Sequence, residues 1–367
     1  MSAVREINSA INMKIFNSCV LVLLMACYQI SFASDALEDA HIIDWHVHVA
    51  GLGFGDSGNF VNDEMRNNYR FKFFLKWMNV TEKELEENGD QILVKKLNDK
   101  VTESKYIDQV IVLAMDGVID EASKRLDSNK TQVYIPNEFV ASQTAKYPNL
   151  LFGASINPNR ENSVELLEQV HRQGAVLIKW IPNIMYINPS DEKFIPFYKR
   201  MAELKIPLLT HTGMEKSFAN AKDHFADPRL LELPLQYGVT VIAAHIATTG
   251  ESDGQDNFER ILPMFAEFPN LYTDISSLTQ LNKRGYLAKA MKYPGLTERM
   301  IYGTDWPLQS FPLVSPWYHI NHIGIKNAWR VSRHKNKWDR DIMLKQAFGV
   351  PQSAFVRKLG VLNIHPE

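Results

Sequence analysis

The first side chains in the sequence that could do chemistry together are two histidines one residue apart, His46 and His48. They lie at the end of residues 41–49, an apolar segment that predicts a β-strand. Residues i and i+2 of a strand point to the same side, so both imidazoles can reach one metal ion. A His-x-His pair alone is common by chance, so its meaning depends on the rest of the chain.

Four further residues of types that bind metals or move protons stand at the ends of later apolar segments. They are Lys179, His211, His245 and Asp305. Successive members are 32, 34 and 60 residues apart, which fits β-α units of about 30 residues with one unit passed over before Asp305. Each alone is more simply explained as a hydrogen-bonded rim residue or a helix cap. Their shared position predicts one polar centre.

The elements that must position these residues alternate regularly along the chain. The predicted strands are residues 41–49, 109–115, 150–157, 176–181, 207–212, 239–246, 270–275 and 300–304, and the predicted helices include residues 81–102, 137–146, 163–173, 194–204, 228–237, 258–267, 282–292 and 340–359. Near-continuous apolar strands alternating with helices indicate a parallel sheet covered on both faces. Eight such units predict an α/β protein with the (β/α)8 TIM-barrel fold.

A doubly wound open sheet is the alternative fold, but no G-x-G-x-x-G follows the first strand. Two connections, residues 50–106 and 306–339, are longer than a barrel requires. Both leave the C-terminal ends of strands, where barrel enzymes hold their active sites, so both could cover a pocket. Their aromatic residues could instead pack the connections onto the barrel or form a subunit interface.

The N-terminal 33 residues have the layout of a secretory signal, which leaves residues 34–367 as one barrel domain. The apolar residues 19–27 are too few to span a bilayer, Lys14 precedes them, and Ser31 and Ala33 precede a cut before Ser34. We therefore predict an exported protein, periplasmic or secreted.

Two alternatives remain for this segment: residues 24–27 resemble a lipobox that would anchor the protein through a lipid on Cys27, or the segment is a structural helix. The true start is either Met1 or Met13.

Composition excludes several classes of function. The chain has a net charge of −2 with 22% charged residues, so no bulk charge attracts nucleic acid or an anionic membrane surface. Both cysteines lie within the first 33 residues, so a chain cut after Ala33 has neither a thiolate nucleophile nor a cysteine zinc site. A small-molecule substrate is the expected partner, and a homo-oligomer remains open.

These motifs together resemble the amidohydrolase superfamily. The pattern is His-x-His after strand one, Lys after strand four, His after strands five and six, and Asp after strand eight. The segments Gly303-Thr-Asp-Trp-Pro307, His211-Thr-Gly213 and Thr273-Asp-Ile-Ser276 are similar in particular to the amidohydrolase-related (amidohydrolase 2) branch of TIM-barrel metal-dependent hydrolases. That branch also contains decarboxylases and lactonases. The resemblance runs from about residue 41 to the last helix.

The resemblance implies one divalent metal, with Zn²⁺ favoured by imidazole and carboxylate ligands. The implied ligands are His46, His48, His211 and Asp305. Asp305 would also accept a proton from metal-activated water and pass it to the leaving group. His245 would orient the water or polarise the substrate, or bind a second metal.

The resemblance leaves two states open for Lys179. It is carboxylated and bridges two ions in two-metal members, or it stays cationic and binds a substrate carboxylate or carbonyl in one-metal members. One metal is favoured, because this branch is mostly mononuclear. Trp45, Asn183 and Thr212 are candidate substrate-binding residues at the pocket wall, and Asp274 is a candidate support for the metal histidines.

The sequence thus predicts an exported metal-dependent hydrolase that attacks a carbonyl-type bond, in a lactone, ester or amide, of a small substrate. A metal-dependent decarboxylase of a small carboxylic acid is the alternative within enzymes. A non-catalytic metal- or ligand-binding barrel is the alternative from another class. Asp305 and His245 together argue against it, because they serve proton transfer more than metal binding.

Overall fold

The computed structural model describes residue 37, residues 39–310 and residues 312–364. The described residues from Ile42 onward form one compact unit. The predicted signal, its cleavage site before Ser34 and the alternative lipid anchor at Cys27 lie outside the described residues. Within the described parts of the chain, no helix is both long and apolar enough to span a bilayer.

Eight parallel strands form the central sheet, in the same order in space as in the sequence. They are β1 (Ile43–His48), β2 (Gln109–Leu113), β3 (Leu150–Ala154), β4 (Leu177–Trp180), β5 (Leu208–Thr210), β6 (Val241–Ala243), β7 (Leu271–Asp274) and β8 (Met300–Ile301). Backbone hydrogen bonds join the first strand to the end of the last, from Trp45 N to Tyr302 O (3.2 Å) and from Trp306 N to His46 O (3.2 Å). The sheet is therefore a nearly closed barrel, and the predicted TIM-barrel fold is confirmed.

Apolar side chains from every strand fill the barrel interior. The cluster comprises Ile43, Trp45, Ile111, Leu113, Val176, Leu177, Leu209, Ile242, Ala244, Ile301 and Leu359, with Leu151, Tyr272, Val361 and Leu362 packed against it. Burial of this area is the main force that holds the strands together. Leu359, Val361 and Leu362 come from the C-terminal segment, so the end of the chain contributes to the same core.

Helices surround the sheet and fill the long connections. The α-helices are Asp63–Asn67, Tyr69–Met78, Glu82–Asn88, Gln91–Thr102, Asn137–Thr144, Ser163–Arg172, Pro182–Met185, Ile195–Glu203, Glu232–Gln236, Asn257–Ile261, Met264–Glu267, Tyr286–Ala290, Ile320–Ser332, Lys337–Ala347, Gln352–Val356 and Val361–Ile364. The 3-10 helices are Glu192–Phe194, Asp223–Ala226, Pro228–Leu231, Ala244–Ala247, Leu281–Lys283, Leu296–Arg299, Leu308–Ser310 and Pro316–His319.

Four helices predicted as continuous are divided in the structure, those over residues 81–102, 258–267, 282–292 and 340–359. A glycine and a proline account for the first and the last of these breaks. The helix predicted over residues 81–102 is interrupted at Gly89, which has a φ of +74° and ends the first half. The helix predicted over residues 340–359 divides before Pro351, because proline lacks the N–H that an internal helical position requires and disfavours a helical conformation in the residue before it.

The two long connections leave from the C-terminal ends of β1 and β8, as predicted. In the first, the buried carboxylate of Asp90 accepts hydrogen bonds from Leu52 N (3.1 Å), Gly53 N (2.9 Å) and Ser57 Oγ (2.6 Å), which fixes the segment after β1. The second connection pairs with the segment after β7, where Gln280 and Val314 form an antiparallel bridge.

Candidate metal centre

A bulge in β1 brings both histidines of the His-x-His pair to the barrel mouth. The register of β1 against β2 shifts between Asp44 and Val47. Trp45 can therefore pack in the interior cluster while the next residue, His46, also turns toward the centre. His46 is almost fully buried, with 1% of its surface exposed.

Three candidate ligand atoms converge at this point. His46 Nε2 and His48 Nε2 are 3.0 Å apart, and Asp305 Oδ1 lies 3.6 Å from the former and 3.5 Å from the latter. The ligands of a tetrahedral Zn²⁺ with bonds of ~2.1 Å are about 3.4 Å from one another. The separations among the three residues are therefore those of atoms that share one cation.

Asp274, at the end of β7, orients His46. The Nδ1–H of His46 donates to Asp274 Oδ2 (2.7 Å), which leaves the lone pair on Nε2 free to face the other candidate ligands. The second oxygen, Oδ1, accepts from His245 N (3.0 Å) and Ser276 Oγ (2.5 Å). Although Asp274 also lies within ligand distance of His46 and His245, both of its oxygens already accept hydrogen bonds, so it supports the centre.

His245 follows β6 in a left-handed backbone conformation with a φ of +58°, and Ile246 also has a positive φ. Such conformations are strained for residues other than glycine and need support from their surroundings. Here the support consists of two hydrogen bonds: Asp274 Oδ1 accepts from His245 N, and Thr273 Oγ1 accepts from Ile246 N (3.1 Å). The turn aims the imidazole across the centre, where its Nε2 lies 3.8 Å from Asp305 Oδ2.

Asp305 follows β8, also with a positive φ of +61°. Asp44 holds the residue before it, because its carboxylate accepts from Thr304 N (3.0 Å) and Thr304 Oγ1 (2.5 Å). Ser277 Oγ donates to Asp305 Oδ2 (2.7 Å), so Oδ1 is left to face the two histidines of β1. Burial raises the pKa of Asp305 to about 6, although the Ser277 hydrogen bond and the charge of Lys283 oppose the rise.

His211 follows β5 on the same side of the barrel. Its ring centroid lies 5.4 Å from that of His245, and its Nδ1 is 3.7 Å from Glu215 Oε2. Its Nε2 is buried and has no hydrogen-bond partner. His211 is thus brought to the centre, but it is not one of the three residues whose ligand atoms converge.

Lys179, on β4, lies on the floor of the centre with 1% of its surface exposed. Its Nζ is 3.0 Å from His46 Nε2. Burial lowers the pKa of Lys179 to about 8, against the opposing charges of Asp274 and Asp305. The ammonium group therefore still predominates at neutral pH.

The histidines of the centre are neutral at pH 7. Burial, followed by nearby positive charge, lowers the pKa values of His46 and His48 well below 6.5, and burial does the same for His245. Burial lowers the pKa of His211 to about 4, although Glu215 opposes this. Neutral imidazoles have the lone pair that a metal ion requires.

The three residues predicted at the pocket wall occupy different surroundings. Trp45 lies in the interior cluster with no exposed surface. Asn183 Nδ2 donates to Asp223 Oδ1 (2.7 Å) and to Gly213 O (3.1 Å), while its buried Oδ1 has no hydrogen-bond partner. Thr212 is buried and donates to Ala244 O (3.0 Å). Substrate contact by any of them stays a prediction.

Ser277 and Lys283, on the segment after β7, were not anticipated from the sequence. Ser277 hydrogen-bonds Asp305, and Lys283 acts on the carboxylates of the centre through its charge. Their position just beyond Thr273-Asp-Ile-Ser276, at the C-terminal end of a strand, was the available signal.

The donor set fits a divalent metal. It combines three neutral imidazoles and a carboxylate, the ligand types that Zn²⁺ and similar ions take in proteins. The buried, unpartnered Nε2 of His211 is the atom a further ligand would use. A lone pair buried without a partner is costly, and coordination would relieve that cost.

Comparison with known proteins agrees with the sequence resemblance. The family model Amidohydro_2, described as amidohydrolase, matches residues 43–322. The chain belongs to this family. Curated protein sequences give no significant match to this amidohydrolase.

Several solved structures are similar to this chain, and the first of those that follow shares its fold. An uncharacterized TIM-barrel protein from Bordetella bronchiseptica has 16% identity and a TM-score of 0.51, over 84% of this chain and 96% of that chain. A protein from Pseudomonas putida proposed to be a 2-pyrone-4,6-dicarboxylic acid hydrolase has 14% identity and a TM-score of 0.44, over 84% and 94%. The 5-carboxyvanillate decarboxylase of Sphingomonas paucimobilis has 10% identity and a TM-score of 0.47, over 87% and 100%.

Proposed function

We propose that this amidohydrolase is a metal-dependent hydrolase that attacks a carbonyl-type bond, in a lactone, ester or amide, of a small substrate. The observation that carries the proposal is the position of Asp305. One of its oxygens faces His46 and His48, and the other lies 3.8 Å from His245. A carboxylate so placed can serve both as a ligand and as a proton acceptor.

The metal would be held by His46, His48, His211 and Asp305, and the donor set favours one Zn²⁺. When bound, a divalent ion supplies Lewis-acid polarisation of a carbonyl oxygen and activates water as a nucleophile. A cationic Lys179 is compatible with a single metal ion, because its ammonium group then binds the substrate and does not act as a ligand. A carboxylated Lys179 bridging two ions is the alternative.

Asp305 accepts the proton of the attacking water and returns it to the leaving group as the acyl bond breaks. The elevated pKa of Asp305 suits this exchange, because a group that titrates near neutrality both takes and gives a proton readily. His245, fixed through Ser276 Oγ at 2.7 Å from its Nδ1, orients the attacking water or polarises the carbonyl oxygen.

Decarboxylation of a small carboxylic acid is the second candidate. Lys179, buried with its Nζ 3.0 Å from His46 Nε2, favours it, since an ammonium group there can bind a substrate carboxylate beside the metal ligands. Such a reaction hydrolyses no acyl bond: the C–C bond to the carboxylate breaks, CO₂ leaves, and a proton takes its place on the substrate carbon.

Metal analysis together with turnover tests these proposals. Purified protein should contain about one equivalent of zinc or a similar ion per chain, and His46→Ala should lose it. We expect Asp305→Asn to lower turnover at least about a hundredfold, because the proton acceptor is gone.

The substrates tested would be lactones, esters, amides and aromatic carboxylates, with Ser142→Ala, on a distant helix, as the control. Acid release indicates the hydrolase and CO₂ release the decarboxylase. A metal-loaded protein that turns over none of these compounds would support the non-catalytic binding barrel instead. Unchanged turnover in Asp305→Asn would show that Asp305 is not the proton acceptor.

We further propose that the protein is exported. The support is the sequence of the first 33 residues, with its short apolar segment and small residues before Ser34. The mass of the intact protein recovered from the producing cells tests this. A chain that begins at Ser34 supports plain cleavage, and one that begins at a lipid-modified Cys27 supports an anchor. An uncleaved chain contradicts both.

Whether the protein forms a homo-oligomer is decided by measuring its molecular mass in solution.

A further inference from the structure

The helix Lys337–Ala347 packs against the barrel through a face that is partly polar. Trp338, Asp341 and Lys345 follow one another at spacings of three and four residues, so they lie on one side of the helix. At most 2% of the surface of each is exposed. Buried polar groups are costly unless they are hydrogen-bonded, so the partners of these three side chains indicate what the helix does.

Asp341 and Lys345 join this helix to the residues that follow β8. Lys345 Nζ donates to Gly303 O (2.8 Å) and to Asp341 Oδ2 (2.6 Å). The hydroxyl of Tyr302 donates to the same carboxylate oxygen (3.0 Å). The helix therefore has a fixed position against the segment that leads to Asp305.

Trp338 joins the helix to β1. Its Nε1–H donates to Asp44 Oδ2 (2.8 Å), and Asp44 Oδ1 accepts from His46 N (3.0 Å). The same carboxylate accepts from the backbone N and the hydroxyl of Thr304. Asp44 thus links the backbone of one candidate ligand to the residue before another. Among its donors in the described part of the chain, Trp338 alone comes from a helix.

Trp338 also contacts the residue that follows Asp305. Its indole ring stacks on that of Trp306, with centroids 4.3 Å apart and planes 14° from parallel. Asp305 lies between Thr304 and Trp306 in a left-handed conformation with a φ of +61°. Such a conformation is strained for aspartate and persists only when its neighbours hold it. Trp338 holds both neighbours, Thr304 through Asp44 and Trp306 through its ring.

We propose that Trp338 is a positioning residue that holds His46 and Asp305 at the separation required by one metal ion. It acts through Asp44 and through the ring of Trp306. The proposal rests on the proposed function, because it takes His46 and Asp305 to be metal ligands. Without the indole N–H, the Asp44 carboxylate loses one of its donors and can rotate, so the two ligands lose their fixed separation. Metal affinity falls because ligand geometry tolerates little error.

Two measurements on each variant test this. Zinc affinity is measured by titration against a chromophoric chelator, and the stability of the metal-free protein is measured by urea unfolding followed by circular dichroism. Trp338→Phe keeps an aromatic ring beside Trp306 and removes the N–H. Leu344→Ala is the matched control, because Leu344 is a fully buried apolar residue of the same helix.

We expect Trp338→Phe to weaken zinc binding about tenfold, as the loss of a group that supports metal ligands does. Leu344→Ala should bind zinc within about twofold of the wild type, although the cavity it leaves should lower the midpoint of urea unfolding comparably. A residue that only stabilises the fold would change the urea midpoint and leave the zinc affinity of the folded protein unchanged.

Asp44→Asn tests whether Trp338 acts through Asp44. An amide has one acceptor oxygen where the carboxylate has two, so the link between β1, β8 and the helix is already weakened in this variant. Adding Trp338→Phe to Asp44→Asn should then change zinc affinity by less than about threefold. If Asp44→Asn does not fold, the comparison of Trp338→Phe with Leu344→Ala decides alone.

Three results would overturn the proposal. Trp338→Phe could bind zinc as tightly as the wild type, Leu344→Ala could lose as much affinity as Trp338→Phe, or the loss could be tenfold in both Asp44 backgrounds. A wild type that binds no zinc would instead contradict the metal centre of the proposed function. The titration requires no turnover, so a failure of the hydrolase proposal is distinguishable from a failure of the role given to Trp338.

Discussion

At the scale of single residues, the centre depends on which atoms are already occupied by hydrogen bonds. His46 gives its Nδ1–H to Asp274, and Asp305 receives Ser277 on Oδ2. His46 Nε2 and Asp305 Oδ1 therefore both face the centre, 3.6 Å apart, with Lys179 Nζ 3.0 Å from the former. The candidate ligands could be predicted from residue types at strand ends. Ser277 could not, because a serine in a loop is common and only the fold places it against Asp305.

Metal affinity should depend on the protonation of Asp305. Burial raises the pKa of Asp305 to about 6 in the metal-free protein, and a protonated carboxyl is a poor ligand. Above pH 6 the carboxylate of Asp305 is ionised. Below pH 6 a proton must leave Asp305 before metal binds, so affinity falls about tenfold per pH unit. Zinc titration against a chromophoric chelator between pH 5 and 8 measures this.

In Ser277→Ala, the fall in zinc affinity should begin at a higher pH than in the wild type. The hydroxyl of Ser277 stabilises the ionised form of Asp305, so its removal raises the pKa of Asp305 further. Ser142→Ala is the matched control, because Ser142 lies on a distant helix, where its hydroxyl donates to Phe139 O and accepts from the Gln143 side chain. Identical pH profiles in wild type and Ser277→Ala would show that this hydrogen bond does not control the ligand.

At the scale of elements, the strands were predictable because a buried parallel strand is apolar along its whole length. All eight strands of the barrel fall inside the predicted segments. Helix ends were less predictable, since Gly89 and Pro351 break helices whose apolar periodicity continues past them. The bulge in β1 was not predictable either, because it is a property of the pairing with β2.

Close approach of β8 to β1 should make Gly303 essential to the centre. A Cβ at Gly303 would lie 3.1 Å from the Cβ of His46 and 3.5 Å from that of Asp274, so the alanine side chain would displace the histidine by a few tenths of an ångström. We expect Gly303→Ala to weaken zinc binding about tenfold or more, because ligand positions tolerate little error. The chelator titration measures it.

Gly153→Ala provides the matched comparison. Its Cβ would meet the ends of the Leu113 and Ile111 side chains at 2.7 and 2.9 Å, in the apolar interior. This variant should lower the free energy of unfolding by about 1–3 kcal/mol, as overpacking does, while the zinc affinity of the folded protein stays the same. If both variants lowered zinc affinity equally, the effect of Gly303 would be one of general stability.

At the scale of the whole molecule, the barrel is held together by a core to which every strand and the C-terminal segment contribute. Leu359 belongs to that core and is 8% exposed. We expect Leu359→Ala to lower the free energy of unfolding by about 2–4 kcal/mol, through lost burial and the cavity left behind. Urea denaturation followed by tryptophan fluorescence measures the change.

Leu313 is the control at this scale, because 45% of its surface is exposed. Leu313→Ala should change the free energy of unfolding by less than about 0.5 kcal/mol. Equal losses in the two variants would show that the C-terminal segment does not stabilise the barrel more than a surface residue does.

The closure of the barrel has a consequence for its biosynthesis. β1 is made long before β8, which is its second neighbour in the barrel, and the core beside both receives Leu359 and Leu362, which are made later still. Contacts this distant in sequence form late and slowly. A partly synthesised chain therefore has an unpaired strand edge and an exposed apolar core. Chaperones can bind these surfaces for a long interval before the barrel closes.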